Sequence, residues 1–205
     1  MTQGALFADD ASLDGPGLSA SLERCWLPAG DADRAFAEVS AEVPWEQHHI
    51  VMFGKRSAVP RLDVWMGDPG AIYSYSGIDM ALHPWTPAVD SLRDRVSEAV
   101  GVRFNSALLN RYRDGCDSVG WHADDEPELG PEPVIAALSL GATRTFRLKR
   151  RDDAAVRQSC SLQHGDLLVM SGRTQAEWLH YVPRTAKVVD ERISLTFRVV
   201  LPERP

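Results

Sequence analysis

The segment Trp121-His122-Ala123-Asp124 sets an imidazole and a carboxylate two residues apart, which on an extended chain turns both to the same side. Two such groups can ligate a divalent metal. A second histidine would complete the two-His, one-carboxylate set that leaves coordination positions open in non-haem Fe(II) chemistry. His180, in Trp178-Leu179-His180-Tyr181-Val182-Pro183, is the best candidate for that third ligand. Taken alone, among apolar neighbours, it reads more simply as a hydrogen-bonded core histidine.

The C-terminal run Arg192-Ile193-Ser194-Leu195-Thr196-Phe197-Arg198-Val199 alternates completely. Ile193, Leu195, Phe197 and Val199 share one face; Arg192, Ser194, Thr196 and Arg198 share the other. Such a strand either has a solvated polar face or turns that face into an anion site. At about 3.4 Å per residue the two arginine backbones stand roughly 20 Å apart, so side chains leaning inward could grip both ends of a small dicarboxylate. Arginine's planar fork suits carboxylates better than lysine does. Asn110 and Tyr112 likewise share a strand face and offer an amide and a phenol to an anion. Tyr112 reads equally as core, and Asn110 as a turn former before Asp114-Gly115.

These residues need elements to hold them. Asp31 could cap a helix over 32–42 that buries Phe36 and Val39 and stops at Pro44. Thr86-Pro87, apolar residues at 89, 92, 96 and 100, and Gly101 behind them predict a second helix. Between Ile50 and Gly77, aromatics, β-branched residues and Gly/Pro punctuation predict short strands and hairpins. Strands are expected at 103–113, 134–140, 143–150, 159–163, 166–171 and 191–201. The result is an α+β domain whose C-terminal half is a β-sandwich or barrel. The stretch to about residue 20 has little periodicity and is expected to lie loosely on the surface.

The 205 residues are 44% hydrophobic and 25% charged, which excludes a disordered chain. No apolar run approaches a membrane span, and no secretory signal is visible. Three cysteines without CxxC spacing read as reduced thiols of a cytosolic protein. The net charge of −7 argues at first against a nucleic-acid partner. Residues 1–43, however, hold eight acids and two bases, whereas the other 162 hold 21 acids and 20 bases. The body of the chain is almost neutral, so net charge excludes little.

Taken in order, the motifs resemble the AlkB family of Fe(II)/2-oxoglutarate dioxygenases over roughly residues 45–200. They are Asn110-Arg111-Tyr112-Arg113-Asp114-Gly115, Gly120-Trp121-His122-Ala123-Asp124-Asp125-Glu126, Ala137-Leu138-Ser139-Leu140-Gly141-Ala142, His164-Gly165-Asp166-Leu167-Leu168-Val169-Met170, His180, and Arg192 to Arg198. The similarity is nearest to the branch that repairs alkylated double-stranded DNA. It implies a double-stranded β-helix (jelly-roll) core at 102–205, N-terminal helices, and a substrate-binding hairpin lid. The N-terminal segment with its short helix would be 1–44, and the nucleotide-recognition lid with its supporting helix 45–101, all within one compact domain.

The resemblance further implies that His122, Asp124 and His180 bind Fe(II), and that Asn110, Tyr112, Arg192, Thr196 and Arg198 bind 2-oxoglutarate. The family often has Asn where this chain has Ser194. Asp125 corresponds to the acid that recognises the damaged base, though it would need a loop bend to reach the pocket. Met52-Phe53-Gly54-Lys55 looks like a hairpin wedged beside a flipped base, with Phe53 the apolar wedge and Lys55 a phosphate contact. Tyr73-Ser74-Tyr75 matches a segment that lines the base pocket. Candidate phosphate contacts are Arg61 and the cluster Arg144, Arg147, Lys149, Arg150 and Arg151; alternation sends Phe146 and Leu148 inward, Arg147 and Lys149 outward.

The implied activity is oxidative demethylation of 1-methyladenine and 3-methylcytosine in DNA or RNA. It would consume O2 and 2-oxoglutarate and release formaldehyde, succinate and CO2. Two alternatives are a 2-oxoglutarate-dependent hydroxylase of a small molecule or protein side chain, and a catalytically silent β-barrel that binds a ligand. The expected setting is a monomer away from membranes, in a bacterial cytoplasm or, in a eukaryote, the nucleus.

Overall fold

The computed structural model describes residues 13–52, 55–71, 74–75 and 78–202, with the backbone alone described at 51, 52, 55, 74, 75, 78 and 79. From the N-terminus, β1 (Asp14–Gly15) and β2 (Leu18–Glu23) precede helix α1 (Ala29–Glu42). Six short strands follow: β3 (His49–Met52), β4 (Lys55–Ala58), β5 (Leu62–Gly67), β6 (Ser74–Tyr75), β7 (Ile78–Asp79) and β8 (Leu82–His83), and then helix α2 (Pro87–Val100). Beyond it lie β9 (Ser106–Tyr112), β10 (Val119–His122), β11 (Ile135–Gly141), β12 (Arg144–Arg150), β13 (Arg157–Leu162) and β14 (Leu167–Ser171). A single turn, α3 (Thr174–Glu177), leads to β15 (Trp178–Val182) and β16 (Arg192–Arg198).

One sheet runs β1-β2-β14-β11-β16-β9-β5-β8 and a smaller one β10-β15-β12-β13. Strand alternation explains how they stack. On β11, Ala136, Leu138 and Leu140 face a core shared with Ala32 and Val39 of α1 and with Val89, Leu92 and Val96 of α2. Ile135 and Ala137 face the other way, into a second core shared with Phe146, Leu148, Cys160, Leu162 and Val182 of the smaller sheet. The order is therefore helices, large sheet, small sheet: a jelly-roll core with helices backing one face.

Helix α2 forms as its text predicts. Thr86 accepts from the Val89 amide at the N-cap, Pro87 occupies the first turn, and Gly101 closes the helix with φ +72°. Helix α1 begins earlier than expected, at Ala29 after Pro28, and has no side-chain cap; Asp31 instead pairs with Arg34 inside the first turn. Val39 is fully buried, while Phe36 is partly buried against the core.

The N-terminal expectation is corrected more substantially. Residues 18–23 are not loose: β2 lies antiparallel to β14, with Leu22 opposite Leu168 and Ala20 opposite Met170. Arg24 then anchors the chain by donating to the buried Asp166 at 2.6 Å. Its alternation was hidden by small residues in Leu18-Ser19-Ala20-Ser21-Leu22. Residues 1–12 lie outside the described residues.

Asp166 follows Gly165, whose φ of +83° places a hypothetical Cβ 2.2 Å from the Leu27 carbonyl oxygen. Gly165→Ala is expected to destabilise the fold by more than about 1 kcal/mol, because left-handed strain and a backbone collision act together. Urea denaturation checks this; an unchanged midpoint would contradict it. Cys25, Cys116 and Cys160 are free thiols, as the spacing suggests. Among the described residues, no helix is long and apolar enough to cross a membrane.

Candidate active site

Strands β10 and β15 pair antiparallel with His122 directly opposite His180. Their rings meet edge to face at 4.3 Å between centroids. The His122 Nδ1 lies 2.8 Å from the Gly120 carbonyl oxygen, so as the donor it leaves Nε2 to ligate. β10 ends at His122, so Asp124 is not on the strand that the two-residue spacing suggests. It sits in the following loop, where its amide donates to Gln175 Oε1 at 2.9 Å. The loop nevertheless brings the three side chains together: one ligand atom from each of His122, Asp124 and His180 lies within 4.8 Å of the others.

Electrostatics favour the ligating forms. Burial would raise the Asp124 carboxyl, but Arg198, His180 and His122 outweigh it and hold it at about 2. Arg198 Nη2 donates to Asp124 Oδ1 at 2.6 Å. Burial pushes His180 down to about 3, and His122 in the same direction. Both imidazoles are thus neutral near pH 7, as a metal requires. The metal-free protein should accordingly lose stability in acid. Below about pH 6.5 the unfolded chain takes up protons that the folded His180 refuses, and the Asp124 contribution is lost as pH falls from about 4 through 2. The urea midpoint of metal-free protein is expected to fall steadily from pH 6.5 to pH 3. A flat profile would contradict this.

The polar face of β16 turns inward. Arg192, Ser194, Thr196 and Arg198 line one cavity with Asn110, Tyr112 and the three metal-ligand candidates. Its apolar walls include Leu108, Phe146, Leu162 and Met170. Arg192 is 1% exposed; Nη2 donates to Ser139 Oγ at 2.9 Å and to Ser194 Oγ at 3.4 Å. Ser194 therefore helps to aim Arg192. The Arg192 Nε and Nη1 are buried with no hydrogen-bond partner among the described residues, an arrangement that calls for an anion. Two guanidinium groups lie over the Tyr112 ring, Arg192 at 5.2 Å and Arg144 at 5.5 Å from its centroid. A metal-ligand triad, an orphaned fork and a two-arginine strand in one cavity fit Fe(II) with a dicarboxylate cosubstrate.

The candidate phosphate contacts divide sharply. Arg144 is corrected: it is buried and donates to the carbonyl oxygens of Asp114, Asp117 and Pro183, tying loops together behind Tyr112. Arg61 is corrected too, since it is 4% exposed and lines the cavity rather than an outer surface. Arg150 pairs with Asp152 and Glu177, and Arg151 with Asp125. Arg147 and Lys149 do face outward, over the rings of Tyr181 and Trp121. Asp125 is exposed on that ion pair and is not brought to the cavity. Phe53, Gly54 and Tyr73 lie outside the described residues, as do the side chains of Lys55 and Tyr75. The backbone shows β3 and β4 as an antiparallel hairpin with Met52 opposite Lys55, and β6 pairing with β7.

Gln175, which fixes the Asp124 loop, and Ser139, which holds Arg192, were not foreseen. Gln175 belongs to a four-residue helix with no periodicity to read.

The 2OG-Fe(II) oxygenase superfamily model matches residues 20–198. The chain is 39% identical over 184 residues to mouse DNA oxidative demethylase ALKBH2, covering 85% of this chain and 77% of that protein. It is 41% identical over 204 residues to human alpha-ketoglutarate-dependent dioxygenase alkB homolog 3, covering 95% and 71%. A solved structure described as OsALKBH1 superposes with a TM-score of 0.59 at 19% identity, over 91% of this chain and 100% of the other. The chain belongs to the 2OG-Fe(II) oxygenase superfamily and, within it, to the AlkB family. It is an Fe(II)- and 2-oxoglutarate-dependent dioxygenase.

Proposed function

We propose that this enzyme oxidatively removes methyl groups from N-alkylated bases in DNA, with 1-methyladenine and 3-methylcytosine as substrates. The carrying observation is the His122–Asp124–His180 cluster in one cavity with Arg192 and Arg198, in a chain whose relatives include proteins named DNA oxidative demethylase. In this reading His122, Asp124 and His180 hold Fe(II), while Asn110, Tyr112, Arg192, Thr196 and Arg198 receive 2-oxoglutarate. Bound Fe(II) with O2 and 2-oxoglutarate supplies hydroxylation of an N-methyl group, with succinate and CO2 formed and formaldehyde then lost from the hydroxymethyl base.

The protein's own part is geometry. Gln175 holds Asp124 by accepting from its backbone amide, while Arg198 donates to its carboxylate. Ser139 and Ser194 aim the Arg192 fork, and the apolar walls limit water at the reacting end. Methylation at a pairing position weakens the base pair, so extruding the damaged base costs less than extruding a normal one. Phe53 and Lys55 at the β3–β4 hairpin would wedge the duplex and touch phosphate, with Arg147 and Lys149 as further phosphate contacts and Tyr73 and Tyr75 beside the base.

The test measures formaldehyde release from single- and double-stranded oligonucleotides carrying 3-methylcytosine, at two salt concentrations. Phe53→Ala and Lys55→Ala are expected to slow the double-stranded reaction while leaving 2-oxoglutarate affinity unchanged. Turnover of small methylated molecules only, indifferent to both substitutions, would instead mark a small-molecule hydroxylase.

A further inference from the structure

Arg61 is absorbed by neither the metal set nor the cosubstrate set, yet it is buried in the same cavity wall. It stands just ahead of β5, where Asp63 pairs directly across from Asn110 of β9. Side chains of a directly opposed pair lie on the same sheet face, close enough to bond each other. Here they do not bond, because the Arg61 guanidinium bridges them: Nε donates to Asn110 Oδ1 at 2.6 Å and Nη2 lies 3.3 Å from Asp63 Oδ2. Asp63 is 3% exposed and braced from behind by His48 Nδ1 at 2.5 Å, whose Nε2 lies 3.2 Å from Glu46. Gln47 holds the Arg61 backbone carbonyl from the same strand edge, at 3.0 Å.

An asparagine amide has one acceptor end and one donor end. With Oδ1 taken by Arg61, Asn110 has only its NH2 to offer a ligand, and a carboxylate can use only donors. Without Arg61, the Asp63 carboxylate directly across the strand pair can accept from that NH2. The amide would then turn over and present its oxygen to the anion.

We infer that Arg61, anchored by Asp63 and His48, is a positioning residue that fixes the Asn110 amide with its donors toward 2-oxoglutarate. The inference rests on reading Asn110 as a cosubstrate ligand. It assigns Arg61 an action through Asn110 rather than a direct contact with phosphate or base.

The experiment measures 2-oxoglutarate affinity by calorimetry on the Mn(II)-loaded protein, with KM for 2-oxoglutarate and for oligonucleotide measured separately on the iron enzyme. Arg61→Met removes the donor and is expected to weaken 2-oxoglutarate binding about 10- to 100-fold, in line with losing a hydrogen bond to a charged group. Asp63→Leu added to Arg61→Met removes the competing acceptor and should restore most of that loss. Arg61→Gln serves as a gentler variant, because the glutamine amide nitrogen can occupy the place of arginine Nε. It should bind 2-oxoglutarate within about 3-fold of wild type, since it restores a donor to Asn110 without the charge. Oligonucleotide KM should stay unchanged throughout.

Arg61→Gln binding as weakly as Arg61→Met would overturn the inference, since charge rather than amide orientation would then matter. So would a double variant no better than Arg61→Met alone. Asn110→Ala separates the two levels. If it leaves affinity intact, the cosubstrate reading of Asn110 fails; if it weakens affinity and Arg61→Met does not, only the positioning role of Arg61 fails.

Discussion

Asp124→Ala is expected to lower turnover by more than about 100-fold and to destabilise the fold as well. Partners one shell out from a metal already change affinity or activity by about 10- to 100-fold, and Asp124 is placed to ligate directly. The second effect comes from Arg198. It is 2% exposed and donates to Asp124 at 2.6 Å, so removing the carboxylate breaks a buried ion pair, at about 3–5 kcal/mol. Metal titration and thermal melting separate the two losses. Arg198→Met added to Asp124→Ala should recover stability and none of the activity. A double variant that melts no higher than Asp124→Ala alone would contradict this account of the stability loss.

Arg192→Lys should raise KM for 2-oxoglutarate by about 30-fold or more while leaving the maximal rate at saturation much closer to wild type. Lysine keeps the charge and loses the planar fork. That fork has Nη2 committed to Ser139 and Ser194, with Nε and Nη1 buried and left for a ligand. A single ammonium cannot reach both serines and also supply the separate donors that Nε and Nη1 offer a ligand. Breaking a buried, hydrogen-bonded charge pair costs about 2–5 kcal/mol, and the lower end corresponds to the 30-fold expected here. Steady-state kinetics against 2-oxoglutarate at saturating oligonucleotide decide it. An unchanged KM would place the cosubstrate away from Arg192.

Much of this site was legible because its residues repeat with the period of the element that carries them. The alternation of β16 separates a core face, Ile193, Leu195 and Phe197, from a cavity face, Arg192, Ser194, Thr196 and Arg198. Helix α2 declares itself through its cap, proline and terminal glycine. Long-range contacts set what remained hidden. Charge gave no sign that Arg61 and Arg144 would be buried, because an arginine at or just ahead of the start of a strand reads as solvated until the opposing strand is in place. The convergence of Asp124 with His122 depends on a loop held by Gln175, about 50 residues on. β2 was missed because serine and alanine mask its alternation, although its partner β14 was plain. The acidic balance is sharpened too. With Asp124 in the His–Asp–His cluster and Asp63 bracing Arg61, two of the body's acids are buried at the site and do not repel a phosphate-bearing partner from its surface.

The most direct test of the whole account is product stoichiometry. Protein loaded anaerobically with Fe(II) and 2-oxoglutarate is mixed with an oligonucleotide bearing one 3-methylcytosine, oxygen is admitted, and succinate and formaldehyde are counted together. One formaldehyde per succinate is predicted, with the base restored to cytosine. Succinate formed without formaldehyde, and with the methyl group retained, would contradict it.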